Sequence, residues 1–471
     1  MSYEVCPISR RKILYSLGGL YAFAYSLSLV FPVQYFWDDW MFYYDKSSAE
    51  IRSSSGAFSG FSPPRLVIEG ALANYNPRLF HILTFVFFPL AALFLWNTIK
   101  ATSFLVEWEK ISITALFLLL PMNSARHAMT IFMYSFCNLA FYAGWWVFAR
   151  AKFRYSKLVA LSLFIISFDT ASFIVFSILP IIMGFCELRY DRKNILTYFK
   201  KSLPFIIAPL LYWFVEPILN PNLDHVREAY YTPKFSGLMR GCLISVPIIA
   251  SALVGLNKFG WRYSTHRGNI QILSGVALIW LGIFPYMAIG HFANLNSLFI
   301  GFVPGASDWD SRHQLLMPLG IAVLVVGVIN YFEVKKIGES LLTILIVCTV
   351  LSTTFTHEYY LDSIKTRDVI TELKNFPELQ DAKLVMFDDQ ATRFNARGRR
   401  LRPYEWKGIL REAFPNHQID ADVIGLVRCT NPIPDYVVTI LTTNGRLRAL
   451  LTRDTGVQVN LERFIGCDQE S

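Results

Sequence analysis

The stretch "LVALSLFIISFDTASFIVFSILPIIMGF", residues 158–185, decides how this chain is laid out. Read as one apolar run, it crosses a bilayer once, since a hydrocarbon core of about 30 Å takes about 20 helical residues. Read as two arms, 158–168 and 172–185, broken at "SFDTAS", it enters and leaves on one side. The flanking charges choose. "RAKFRYSK" (150–157) precedes it, and "RYDRKN" with "KK" (189–201) follows it. Basic loops collect on the cytoplasmic side, and only the hairpin puts both of them there. Arms of about 16 and 21 Å leave Asp169 at or below the membrane surface. An acid at that depth is tolerated inside protein or beside a wet cavity. The plainer role, capping the second arm, is compatible with this.

The rest of the 471 residues extends this reading. Hydrophobic residues make up 54% and charged residues 17%, against about a quarter charged in soluble proteins. Runs such as "LFHILTFVFFPLAALFLW" (79–96) and "SLLTILIVCTVLSTTF" (340–355) exclude a large soluble enzyme. The net charge of +9 is gathered in short clusters, including "RRK" (10–12) and "EVKK" (333–336), between apolar runs. It therefore reads as topology, and no nucleic-acid motif accompanies it. Apolar runs at 13–32, 79–96, 104–121, 128–149, 203–219, 238–256, 270–290, 315–331 and 340–355 join the two hairpin arms. Ala22-Phe23-Ala24 has the small-residue spacing of a signal-peptidase site, but its apolar run continues, so we read an uncleaved anchor. The expected fold is an all-α polytopic membrane protein of about 11 transmembrane helices over residues 1–356. Its N-terminus is cytoplasmic, in the cytoplasmic (inner) membrane.

From His357 onward charges become frequent and short apolar runs alternate with turns. "AKLVMF", "DVIGLV", "DYVVTILTT", "RLRALLT" and "VQVNLERF" read as strands, and "DSIKTRDVITELKNF" as a helix. Residues 357–471 are thus expected to form a small extracytoplasmic (periplasmic) α/β or mostly-β domain. Cys429 and Cys467 fall within it, and their spacing leaves open whether they pair.

With eleven crossings, acids, His and Arg collect in the outer loops. "VQYFWDDWMFYYD" (33–45) opens the first loop with Asp38 and Asp39 amid aromatics, which desolvate a carboxylate and make it a stronger base. Adjacent residues rarely face the same way, so one is expected to enter the site. "PMNSARHAMT" holds Arg126 and His127, and "GFVPGASDWDSRHQLLMP" holds Arg312 and His313. Arg at the start of a span can be interfacial snorkelling. Two Arg-His pairs at helix starts also suit a phosphate, through the free N–H groups and the guanidinium fork. "NPNLDHVREAYYTPK" adds Asp224, His225, Arg227 and Glu228. No Walker loop, GxSxG elbow, HExxH motif or CxxC pair is present.

These placements resemble the GT-C superfamily of polytopic glycosyltransferases, in the branch of O-antigen glucosyltransferases and arabinosyltransferases. "YFWDDW" matches its acidic first-loop motif, and "NPRLFH" (76–81) looks like its Asn-Pro-Arg element. "SFDTASFIVF" looks like its short-hairpin segment, and "DWDSRHQLLMPLG" resembles its late Arg-containing motif. The resemblance covers residues 1–356. It implies transfer of a sugar from a polyprenyl-phosphate donor to a hydroxyl of a polysaccharide, lipid or pilin-like protein acceptor, usually with inversion. It implies Asp38 or Asp39 as base, with Arg312, His313, Arg126 and Arg78 on the donor phosphate. His127, Asp169 and Trp40 would position the acceptor or the loop. Some members use a divalent metal (Mg or Mn), for which Asp38, Asp39 and Asp169 would be ligands. The alternatives are a polysaccharide polymerase or ligase and, behind it, a lipid-linked-sugar flippase or transporter. A transporter would typically show internal repeats, and none is visible.

Overall fold

Among the described residues four helices are long and apolar enough to cross a bilayer, which suggests a membrane protein: Arg78–Ile99, Met129–Arg150, Arg267–Ala288 and Ile337–Leu373. The structure is a computed structural model that describes residues 10–42, 44, 63–187, 192–219, 235–236, 239, 266–288, 312–334, 336–424, 434–443 and 446–453. Its helices are α1 (Arg10–Tyr25), α2 (Asp39–Phe42), α3 (Pro63–Tyr75), α4 (Arg78–Ile99), α5 (Glu107–Leu119), α6 (Phe132–Arg150) and α7 (Ser156–Ser167). They continue with α8 (Ser172–Phe176), α9 (Ile178–Cys186), α10 (Arg192–Leu219), α11 (His266–Ala288), α12 (Met317–Tyr331), α13 (Ile337–Leu373) and α14 (Pro403–Ala413).

Large apolar side chains lie bare along several of these helices. Ile82, Val86 and Leu90 do so on α4, Leu203, Leu210 and Phe214 on α10, and Ile346 and Val350 on α13. Water would not tolerate an apolar belt of that extent on a monomer, and lipid does.

The described residues do not confirm the expected count of eleven spans. α5 has 13 residues and α12 has 15, about 20 and 23 Å of helix, short of a hydrocarbon core. α5 stops because Pro121 biases the residue before it away from helical backbone. α1 has 16 residues and gives way to a 3-10 turn, Ser26–Val30. The run at 238–256 lies outside the described residues. The chain does break inside 158–185: α7 ends at Ser167 and α8 begins at Ser172. α7 and α9 both pack on α6 and α10.

Two features position the functional end. First, α11 and α12 approach closely through glycines. A Cβ on Gly275 would lie 2.5 Å from the Leu324 backbone nitrogen, and one on Gly327 would lie 2.6 Å from that of Ile272. Second, α13 is one continuous helix of 37 residues, about 55 Å long. Leu345 and Cys348 belong to the bundle core, whereas Val369, Ile370 and Leu373 belong to the core of the C-terminal sheet. The expected separate helix "DSIKTRDVITELKNF" is therefore the projecting end of the last span.

The sheet runs β2 (Asp420–Val423), β1 (Leu384–Asp389), β3 (Tyr436–Thr443), β4 (Arg446–Arg453). Its first three strands are parallel and β4 is antiparallel to β3. α14 connects β1 to β2, and its Trp406 stacks on Phe387 at 4.1 Å. The expected strand "VQVNLERF" and both Cys429 and Cys467 lie outside the described residues.

Candidate functional site

The acidic pair sits in a tight turn at the end of an extended segment. Asp39 donates its N–H to the Phe36 carbonyl, and Trp40 does the same to Trp37. Trp37 lies at φ 47°, a region costly for a bulky residue, so its surroundings must hold it. They do so from three sides. The Trp37 N–H donates to Glu405 Oε2 at 3.1 Å. The Arg399 guanidinium lies 4.9 Å over its ring, and Phe36 and Tyr359 pack against it.

The turn separates the two acids. Asp39 is fully buried. Its Oδ2 accepts the N–H groups of Phe36 (3.0 Å) and Met129 (2.9 Å), and its Oδ1 accepts that of Thr130 (2.8 Å). Burial pushes its carboxyl up to about 7, while these backbone donors favour the charged form. Asp39 thus ties the first loop to the start of α6. With no exposure and three backbone donors on its oxygens, it presents no open face to a substrate.

Asp38 points the other way and is half-buried. The Tyr404 hydroxyl donates to its Oδ1 at 2.8 Å. Burial raises its pKa, and the Tyr404 bond and the charges of Arg312 and Arg402 act against that rise. Such a carboxylate is more basic than a solvated one.

Tyr404 comes from α14, so the C-terminal region supplies part of the site. Arg402, Tyr404 and Glu405 form the first turn of α14, where Glu405 accepts the Arg402 N–H at 3.0 Å. Buried ion pairs fix that turn. Arg399 donates to Glu405 at 2.9 and 2.6 Å and to Asp362 of α13 at 3.1 Å. Lys365 donates to both oxygens of Asp389 at 2.7 Å and to Asn395 at 2.7 Å. Burial raises the pKa of Glu405, and Arg399 opposes the rise.

Trp40 is buried and lies against the α14 backbone at Gly408, so it anchors the loop and offers no face to a sugar. A Cβ on Gly408 would fall 2.5 Å from the Trp40 ring. Gly408→Ala is expected to cost about 1–3 kcal/mol by overpacking and to lower the unfolding temperature. An unchanged melting curve would refute this packing account.

Arg312 and His313 enter from the turn before α12. Arg312 donates Nε–H to His313 Nε2 at 3.3 Å. The His313 ring lies 4.3 Å from that of Tyr286, whose hydroxyl approaches Ser172 Oγ at 3.5 Å. This chain of contacts brings the "SFDTAS" turn, with buried Asp169, toward Arg312. Gln314 accepts the N–H of Asn123 at 3.3 Å. Asn123 is held at φ 54°, and both its side-chain amide atoms are buried without a partner. Such atoms mark a place for water or a ligand hydroxyl.

Other expected members are elsewhere. Arg126 stacks on Tyr25 and Phe88 at 3.6 and 4.8 Å. His127 packs on Tyr359 and Phe31, and burial, with Arg126 beside it, holds its pKa well below the usual value. Arg78 is exposed at the start of α4. The proposed metal set fails too. Among the described residues no three His, Cys, Asp or Glu side chains converge, and Asp39 is spent on backbone. Asp45, Asp224, His225, Asp308 and Asp310 lie outside the described residues.

Sequence reasoning missed Tyr404, Arg402 and Arg399. Glu405 two residues after Pro403 signals a helix start, but nothing local says that this start meets a residue 366 positions away. No family model, curated protein or solved structure matches this chain.

Proposed function

We propose that the protein is a membrane glycosyltransferase of GT-C type. It transfers a sugar from a polyprenyl-phosphate donor to an acceptor hydroxyl on the extracytoplasmic face, with Asp38 as base. The observation that carries this reading is the half-buried Asp38 carboxylate, bonded to Tyr404 and within the field of Arg312 and Arg402. In the proposed reaction the acceptor oxygen attacks the anomeric carbon and its proton passes to Asp38. The bond from that carbon to the phosphate oxygen breaks, and the lipid phosphate leaves with the electron pair. Arg312, with His313 against it, offsets the charge that develops there, a role for a fixed cation in a partly dry site. The buried amide of Asn123 is available to a sugar hydroxyl. No step requires a metal.

Tyr404→Phe tests the base directly. The Tyr404 bond favours the charged form of Asp38, so its loss raises that pKa. The acid limb of the kcat/KM profile should then move to higher pH, with little change in unfolding temperature. A limb that stays in place would remove Asp38 from the base role. Donor chemistry separates this reading from a polymerase or ligase. The purified protein should consume a monosaccharide on a polyprenyl monophosphate. Turnover only of a glycan on a polyprenyl diphosphate would contradict it.

A further inference from the structure

We propose that the loop from β1 to α14 is an acceptor-binding surface for an acidic glycan, whose carboxylates are held by Arg400 and Arg402. The inference rests on the proposed function, because it names the chemical class of the acceptor that Asp38 would deprotonate. Residues 393–402, "RFNARGRRLR", hold five arginines and no acid. The fold sorts these arginines into two groups. Arg397 and Arg399 turn inward and meet counter-charges. Arg397 stacks 4.4 Å over Phe355 and lies 3.9 Å from Glu358, and Arg399 is held by Asp362 and Glu405. Arg393, Arg400 and Arg402 are exposed, and among the described residues none of the three makes an ion pair.

The backbone puts Arg400 and Arg402 on one face. It is extended at Arg399 (φ −60°, ψ 152°) and at Arg402 (φ −84°, ψ 160°), and successive side chains of an extended chain point opposite ways. The Arg399 side chain is 9% exposed and Leu401 belongs to the sheet core, so these two face the protein. Arg400 and Arg402 therefore point outward together, about 7 Å apart. The segment is held in that sense. Asn395 donates to the Arg399 carbonyl at 2.6 Å, and the Arg402 N–H donates to Glu405 at 3.0 Å. Two fixed guanidinium groups with no acid between them raise the local concentration of anions.

The position favours an acceptor. Tyr404, two residues beyond Arg402, donates to Asp38, and the charge of Arg402 acts on the same carboxylate. A glycan lying along Arg400 and Arg402 thus has a hydroxyl to bring to Asp38. An acidic glycan would otherwise be repelled by that carboxylate, and a cation beside both offsets the repulsion. The guanidinium fork suits a carboxylate. This loop already shows the mode internally, where Arg399 Nη1 donates to both oxygens of Glu405.

Equilibrium binding to the full chain in a non-ionic detergent tests it without any sugar donor. Oligogalacturonate is the probe, and the same oligomer with its carboxyls reduced to alcohols is the control. The probe should bind, more weakly as salt rises, and the control should not. Arg400→Gln with Arg402→Gln should weaken binding about tenfold or more and leave the unfolding temperature unchanged. Arg400→Gln alone, at a fully exposed side chain, serves if the double variant fails to fold. Lys407→Gln removes an exposed cation of α14 that pairs with Asp420, and it should bind as wild type does. Oligogalacturonate binding by a chain that transfers no sugar would keep this surface and remove the proposed function. Transfer to neutral acceptors with no oligogalacturonate binding would keep that function and overturn this surface. Binding that the reduced oligomer matches, or that survives the arginine variants, overturns the proposal. So does tighter binding of a glycerol-phosphate oligomer, or arginine-dependent binding of phosphatidylglycerol bicelles in place of the glycan.

Discussion

Asp38→Asn should reduce sugar transfer by about 10²–10⁴-fold, the usual contribution of a positioned general base, and leave the unfolding temperature close to that of the wild type. Asp38 is half-buried and holds one side-chain bond, from Tyr404. An amide of the same shape can keep that bond through its oxygen. Asp39→Ala should do the reverse of this at the level of the fold. It leaves the N–H groups of Phe36, Met129 and Thr130 buried without an acceptor. At about 1–3 kcal/mol each, the loss is at least about 3 kcal/mol, a large part of a domain's stability. A melting comparison of the two variants checks the assignment. An Asp39→Ala protein with the wild-type unfolding temperature would return Asp39 to the list of candidate bases.

Arg399→Met should destabilise the protein by about 3–5 kcal/mol, the cost of removing one partner from a buried ion pair. Arg399 holds Asp362 and Glu405, which are 1% and 0% exposed. Glu405 in turn holds Trp37 at its strained φ, so transfer should fall along with stability. Replacing the triad together, as Arg399→Met with Asp362→Asn and Glu405→Gln, should recover part of the stability, because no uncompensated charge stays buried. It should not recover transfer, since nothing then fixes Trp37 and the first turn of α14. Thermal unfolding and transfer rates of the single and triple variants decide this. Equal instability in both would argue against charge burial as the cause.

Local pattern made much of the fold legible, and long-range contact limited the rest. The apolar runs at 79–96 and 340–355 gave helices α4 and α13 because twenty apolar residues have few other stable states in lipid. The Asp169 break appeared because polar small residues interrupt a run that would otherwise continue. The strand-like runs from Leu384 to Arg453 formed one sheet, although its order, β2-β1-β3-β4, rests on pairings that no single run encodes. The span count was less legible, because an apolar run does not say where its helix stops: α5 ends at Leu119 and α13 runs on to Leu373.

In the site, residue types pointed to the acidic pair and to Arg312 with His313. Which carboxylate faces inward depended on the Phe36–Asp39 turn and on Met129, and this is geometry. Arg126 and Arg312 carry the same Arg-His motif, yet one packs on Tyr25 and the other acts on Asp38. Tyr404 was hidden because it belongs to the C-terminal region, which reads from sequence as an extracytoplasmic domain of its own.

In the proposed function a first-loop carboxylate, Asp38, drives transfer from a polyprenyl-phosphate sugar. The most direct measurement is release of polyprenyl phosphate from a labelled polyprenyl-phosphate sugar by the purified protein, with and without an acceptor polysaccharide. Release by the wild type should depend on the acceptor and should be lost in the folded Asp38→Asn variant. Equal release by wild type and Asp38→Asn, or none by a folded wild type across donor sugars and acceptors, would contradict it.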